Sequence, residues 1–203
     1  MRNDTGPAVD LAAGDLFTVR GRQLLQSITD VARAIFGAAA SSIFILDDET
    51  GELRFEAVSG QGEEFLVGTR FAADTGIAGW VAASGEPLVV DDLATNPMFA
   101  HDLAAATRYI PQSLMAAPLI ADEAVLGVLE VLDPVPQSRS SLGELDLLAL
   151  FARQAAVALR VIAECRAARA EMERRPAAAL DTVEAHGQLL DAFRDFLRTT
   201  SRP

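Results

Sequence analysis

Residues 71–92 read FAADTGIAGWVAASGEPLVVDD, with Gly76, Gly79 and Gly85 inside ten positions. Glycine at this density poses a choice between a loop that cradles phosphate and a helix that packs closely on its neighbour. A Walker-type loop needs a lysine after its last glycine to meet the phosphates. The chain has no lysine, and all 17 of its basic residues are arginine. A dinucleotide fingerprint places its glycines between a strand and a helix of a parallel unit, whereas the segments flanking this stretch read as antiparallel hairpins. What remains is local: Asp74 or Thr75 caps a short helix, Gly76 and Gly79 let its backbone approach a neighbour, and Gly85 ends it. A strand follows at 88–90, and Asp91 and Asp92 open a long irregular segment.

The rest of the chain is organised around this stretch. Upstream, Leu24, Leu25, Ile28, Val31, Ala32, Ile35 and Phe36 recur at helical spacing, and Gly37 stands where a C-terminal cap belongs. Residues 41–46 form an apolar run, residues 47–51 a turn, and residues 53–59 an alternating run, which together predict a β-hairpin. The continuous run suits a strand covered on both faces, and the alternating one a half-exposed strand. Downstream, residues 113–120 and 124–132 flank a short turn at Ala121, Asp122 and Glu123 and predict a second hairpin. A long closing helix over 145–163, running on past Cys165, follows from Leu148, Phe151, Ala155, Ala158, Leu159 and Ile162, with Ser141 and Glu144 placed as a capping box. Pro176 interrupts the arginine- and glutamate-rich stretch after it. A last amphipathic segment carries Val183, Leu190, Phe193 and Leu197. The expected division is a flexible tail over 1–15, a domain over 16–166 and a helical extension over 167–203.

Composition removes several functions. Half of the 203 residues are hydrophobic, enough for a substantial core. A formal charge of −12 disfavours nucleic acid and anionic membrane surfaces, both of which need a basic patch. The absence of lysine excludes Schiff-base chemistry. Cys165 is the one cysteine, so no disulfide forms within the chain. The N-terminal residues carry acids early and lack an apolar core, unlike a secretory signal. A soluble, cytoplasmic protein is the expectation.

The order of elements and the motifs resemble the GAF domain, a sensory fold. The family reads G-x-x-G-W-V, then G-x-P, an apolar strand and an acidic residue; here these are residues 76–81, Gly85-Glu86-Pro87, 88–90 and Asp91. DDLATNPMF is similar to the family's aspartate loop ending in a proline and a phenylalanine, here Pro97 and Phe99. SLMAAPL and LGVLEVLD match its last two strands. The resemblance spans residues 24–162 and is specific in combination.

It implies an α+β fold: a central antiparallel sheet of five to six strands, terminal helices on one face and a ligand pocket on the other. It implies a regulatory module, not an enzyme. By analogy with cyclic-nucleotide-binding members, the candidate pocket residues are Phe71, Gly76, Trp80, Asp91, Asp92, Phe99, Arg108, Tyr109 and Met115. Each also has a packing or capping reading, since large aromatics dominate cores and aspartates cap turns. Those members carry an N-K…F…D-E signature after the last strand; here LDPVPQSRSSLGELD has Asp133 in place of the asparagine and lacks the lysine, which argues against cyclic GMP or cyclic AMP. Methionine sulfoxide reductases of this fold need several cysteines, and one thiol cannot complete their cycle. Cys165 on the closing helix is poorly placed for bilin attachment. Haem would have to use His101, as His186 lies in the tail, and a surface role suits His101 better. No catalytic group, cofactor or metal set is expected.

The first and last helices, with Val157 and Val161 flanking the main apolar stripe of the latter, predict a homodimer. No output domain is recognisable, so a separate partner protein is expected to receive the signal. Two readings of the function follow: a sensor of a small organic ligand, or a ligand-free module for dimerisation and protein interaction.

Overall fold

A computed structural model describes residues 19–99, 109–135 and 143–173. The chain divides into two compact units, residues 1–163 and 164–203. The first contains helix α1 (Val19–Phe36), strands β1 (Ala40–Asp47) and β2 (Glu52–Gly60), the short helix α2 (Glu63–Leu66), strand β3 (Arg70–Ala72), helix α3 (Gly76–Ser84), and strands β4 (Leu88–Val90), β5 (Leu114–Ala121) and β6 (Ala124–Leu132). Helix α4 (Glu144–Glu173) begins in the first unit and ends in the second. Within the second unit only its residues up to 173 are described, so the segment with Pro176, Val183 and Leu197, like the tail 1–15 and Ser141, lies outside the described residues.

The six strands form one sheet in the order β3-β2-β1-β6-β5-β4, and every pairing is antiparallel. This is the α+β arrangement the sequence predicts. Alternation along the central strands assigns the two faces. Ile43 and Ile45 of β1, Met115, Ala117 and Leu119 of β5, and Leu129 and Val131 of β6 face the helical side, where they meet Leu25, Ile28, Ala32 and Phe36 of α1 and Leu148, Ala152, Ala155 and Leu159 of α4. Phe44, Leu114, Ala116 and Val128 face the other way, towards Ile77, Ala78, Val81 and Ala82 of α3. The first helix starts five residues earlier than its apolar pattern, and Gly37 closes it with φ 57°.

Two irregularities tune this alternation. Ile43 pairs with Ala57 and Phe44 with Phe55, which leaves Glu56 as an extra residue in β2. Such a bulge flips the faces beyond it: Leu53 and Phe55 point to the α3 side, and after the bulge Ala57 points to the helical side. Glu56 itself is buried against Arg54 Nη2 at 2.8 Å and Arg22 Nε of α1 at 3.7 Å. In β6, Leu126 is skipped between the pairs Leu119–Gly127 and Ile120–Val125. Gly127, just after it, lies so close to β1 that a Cβ would overlap the Phe44 carbonyl oxygen.

The short helix of the opening stretch obeys its own geometry. Ile77, Ala78, Val81 and Ala82 are buried, and Gly79 presses against the preceding loop, where a Cβ would lie 2.6 Å from the Ala73 carbonyl oxygen. Gly85, at φ 69°, donates its N–H to Val81 O and ends the helix. The N-terminal cap differs from the expectation. Thr75 occupies the N-cap position but makes no side-chain capping bond, and its hydroxyl donates to Asp74 Oδ1 at 3.5 Å. Among the described residues, no helix is long and apolar enough to cross a membrane.

The replacement Gly127→Ala tests the close approach of β6 to β1. Backbone, not a flexible side chain, stands in the way, so the loss should be about 3 kcal/mol, a Tm lower by roughly 6–12 °C. At Gly51 nothing lies within 4 Å and only φ 67° opposes a side chain, so Gly51→Ala should cost about 1 kcal/mol. Equal losses in thermal denaturation would contradict the assignment.

Candidate functional site

Between the sheet and α3 lies a cavity of about 90 Å³. The sheet forms its floor through Ser42 and Phe44 of β1, Phe55 of β2, Leu114 of β5, and Glu130 and Leu132 of β6. Thr75, the N-cap residue of α3, and Gly76, Ile77 and Ala78 of its first turn border it from the other layer, and Gln61, Leu66, Phe71, Phe99, Tyr109 and Pro111 complete the wall. The lining is mainly apolar with a few polar groups, the composition typical of small-molecule sites.

Three phenylalanines make one wall as a packed set. The Phe44 ring centroid lies 4.5 Å from Phe55 and 5.5 Å from Phe71, the latter pair edge-on at 88°, and Phe55 and Phe71 are 5.8 Å apart. Their places on adjacent strands β1, β2 and β3 follow from the sheet order and from the bulge at Glu56, which keeps Phe55 on this face.

Tyr109 is held by Asp133. The carboxylate of Asp133 accepts hydrogen bonds from the Tyr109 hydroxyl, from the Gln112 N–H at 2.7 Å and from the Ser113 N–H at 2.8 Å. It therefore pins the segment entering β5 to the residue leaving β6, itself at φ 50°. Burial, the hydrogen bond to Asp133 and the Asp133 charge together push the Tyr109 phenol up to about 12. The residue that departs from the cyclic-nucleotide signature thus positions one wall of the cavity.

Glu130 is the chemically distinctive group. It pairs in register with Ser42 across β1 and β6, is 8% exposed, and reaches the cavity. Among the described residues nothing donates a hydrogen bond to it or forms an ion pair with it. Burial alone pushes its carboxyl up to about 8, because a charged form without water or a partner is strongly disfavoured. Sequence reasoning missed it, since it sits within the apolar run LGVLEVLD. The available signal was the anomaly itself: a lone glutamate in a strand otherwise built for burial on both faces.

The nine candidate residues separate. The structure brings Phe71, Gly76, Phe99 and Tyr109 to the cavity. Trp80 is 39% exposed: it lies opposite the arc formed by Ile77, Ala78, Val81 and Ala82, which α3 buries, and it does not border the cavity. Met115 is 2% exposed within the core beneath α1 and α4, because its odd position in β5 directs it to the helical face. Asp91 and Asp92 are exposed, and Asp92 serves its own loop, accepting the Ala94 N–H at 3.1 Å and the Thr95 hydroxyl at 2.9 Å. Arg108 and His101 lie outside the described residues. Cys165 is exposed on α4. Among the described residues no three His, Cys, Asp or Glu side chains gather as a metal site would require.

Comparison with known proteins agrees with this architecture. The family model of the GAF domain matches residues 21–159. The cone cGMP-specific 3',5'-cyclic phosphodiesterase subunit alpha' of Mus musculus is 31% identical over 91 residues, covering 45% of this chain and 11% of that one. The chain spans less than a fifth of the length of the curated relatives it matches. The GAF domain of a phosphoenolpyruvate-protein phosphotransferase from Coxiella burnetii aligns with a TM-score of 0.63 at 24% identity, over 74% of this chain and 86% of that one. The free methionine-R-sulfoxide reductase from Neisseria meningitidis, in complex with its substrate, aligns with a TM-score of 0.53 at 22% identity, over 77% and 83%. At these identities the structural likeness is one of fold.

Two measurements follow from the titrating groups. Tyr109 is the only tyrosine in the chain, so tyrosinate absorbance reports on it alone. Asp133→Asn should lower its pKa from about 12 towards 10, and an unchanged titration would remove Asp133 from its role. For stability, Glu130 binds its proton more tightly in the folded protein, so its contribution is full below its ordinary value of 4.5 and is lost as pH rises to about 8. Glu56, raised by burial against the opposing charges of Arg54 and Arg22, acts in the same sense. Burial pushes Asp47 up, but the hydrogen bonds from Thr50 and Arg70 outweigh it and hold Asp47 below 3.8, outside this window. The Tm should therefore fall between pH 5 and 8 by on the order of 5–10 °C, and Glu130→Gln should remove most of that slope. A wild-type Tm flat over this range would contradict the placement of Glu130.

Proposed function

Because the chain belongs to the GAF domain family, we propose that it is a non-catalytic sensory module that binds a small organic ligand in the cavity beneath α3. GAF domains are commonly regulatory or sensory. The single observation that supports ligand binding here is Glu130: a cavity serving only to be packed has no use for a buried carboxyl without a protein partner, which costs stability. The same observation favours the sensor over the ligand-free interaction module.

The non-catalytic part of the reading rests on the thiol count and the lining. The one cysteine, Cys165, is exposed on α4, and the residues bordering the cavity include no cysteine, histidine or lysine among those described. A thiol cycle of the reductase type needs an attacking and a resolving sulfur.

Occupancy passes outward, in this reading, through a homodimer and from it to a separate partner in the cytoplasm. Leu24, Val31 and Ile35 of α1 are exposed at positions i, i+7 and i+11, and Leu150, Val157 and Val161 of α4 repeat the same spacing. Such stripes suit a helical seam between subunits. In the first unit α1 and α4 touch, since a Cβ on Gly21 would meet Ile162 Cδ1 at 3.1 Å, so a seam on these helices would be backed by the sheet whose other face carries the cavity.

Thermal denaturation against a metabolite panel that includes cyclic nucleotides, amino acids, amines and organic acids tests the sensor. At least one class should raise the Tm by roughly 5–11 °C at 100-fold over its Kd. Silence across the panel would favour the ligand-free module. Light scattering at micromolar concentration should give twice the 21.5 kDa chain mass, reduced to one chain by Val31→Glu with Val157→Glu; a wild-type monomer would refute the dimer.

A further inference from the structure

Two polar features that border the cavity arrive from opposite layers and have opposite needs. From the sheet, Glu130 presents a carboxyl that nothing among the described residues partners. From α3, Thr75, Gly76, Ile77 and Ala78 at its N-terminal end border the cavity. Thr75 makes no capping bond, and among the described residues no acceptor takes the N–H of Gly76, Ile77 or Ala78. The first N–H groups of a helix have no partner within it, and they carry its positive end.

A ligand that satisfies both layers must offer a cationic donor to the sheet and an anionic acceptor to the helix. The wall between them is apolar, made by Phe44, Phe55 and Phe71. The volume restricts the size. A cavity of about 90 Å³ holds roughly six to nine water-sized groups at about 10–15 Å³ each. This suits a free amino acid.

We propose that the cavity binds a small zwitterion of the free amino acid class. Its ammonium docks on Glu130, its carboxylate on the open N–H groups of Gly76, Ile77 and Ala78, and its apolar side chain on the phenylalanine wall. The inference rests on the sensory reading above and narrows its ligand. Charge-assisted hydrogen bonds at both ends give the site its selectivity.

Docking of the ammonium carries a proton balance. In the unliganded protein the carboxyl of Glu130 is raised to about 8 by burial, so near neutral pH it is mostly protonated. An ammonium facing it ionises it, and its proton leaves to solvent as the ion pair forms. Tyr109, raised to about 12 and tied to Asp133, is the other titratable group bordering the cavity among the described residues, and it stays protonated throughout. Affinity should therefore rise from pH 6 to pH 8.

Calorimetry on the full chain with leucine, methionine and phenylalanine tests the proposal. Isoamylamine and phenethylamine serve as matched amines, and 4-methylpentanoate and 3-phenylpropanoate as matched acids. At least one amino acid should bind with proton release, and its matched amine and acid should each bind about tenfold more weakly or worse. Glu130→Gln, neutral and close in shape, should weaken binding by a similar factor and abolish the proton release. Glu130→Asp should retain the release, which keeps the test decisive if the glutamine variant folds poorly. An amine or acid that binds as tightly as its amino acid, or a Glu130→Gln protein that binds unchanged, overturns the proposal. A shift from another metabolite class with none from amino acids overturns the zwitterion and leaves the sensor standing, whereas silence from every compound removes both.

Discussion

The structure depends on the burial of both faces of β1 and β6. These two strands pair at the centre of the sheet, and neither face of either can meet water without exposing a row of apolar side chains. One face is covered fully, by two long helices. The other is covered by the nine-residue α3 and by loops. A short cover over a wide apolar face leaves a gap beside it, and that gap is the cavity. The site is thus a consequence of unequal layers, and the two bulges determine which side chains face it.

Close approach is what makes so short a cover adequate. Gly79 brings α3 onto the loop before it, and Gly127 brings β6 against β1. A side chain at Gly79 would push α3 off that loop and one at Gly127 would push β6 off β1 within the sheet, and the packing that offsets the chain's ordering entropy would loosen. Asp133 complements this at the rim, where one carboxylate gathers Tyr109, Gln112 and Ser113. Its own left-handed backbone conformation is the cost of that convergence.

Much of this was legible in the chain. The sheet strands other than β3, the three longer helices and the antiparallel order follow from periodicity and turn chemistry, because each signal is local. The two-faced burial of β1 was readable from the unbroken apolar run at 41–46. What resisted was anything fixed by three-dimensional direction. Trp80 and Phe99 look alike as aromatic candidates, yet Trp80 stands about 130° round α3 from the centre of the arc that Ile77, Ala78, Val81 and Ala82 bury, and so points outward. Met115 lies on a predicted strand, yet parity sends it to the core. The bulge at Glu56 cannot be seen without the partner strand, so the face assigned to Phe55 was not readable. Glu130 was visible as an exception in its own strand, and its meaning emerged only with the cavity above it. The open cap of α3 was hidden because Thr75 is a good capping residue whose hydroxyl turns to its neighbour instead.

The sheet ends in two very short strands, β3 and β4, of three residues each. A border that brief presents few unpaired amides and carbonyls, too few to template a further strand from another molecule. Growth by sheet extension, the usual route from a folded β-rich protein to fibrils, is therefore blunted at both margins by the brevity of the edges, to which Arg70 within β3 adds a charge and Pro87, just before β4, a proline.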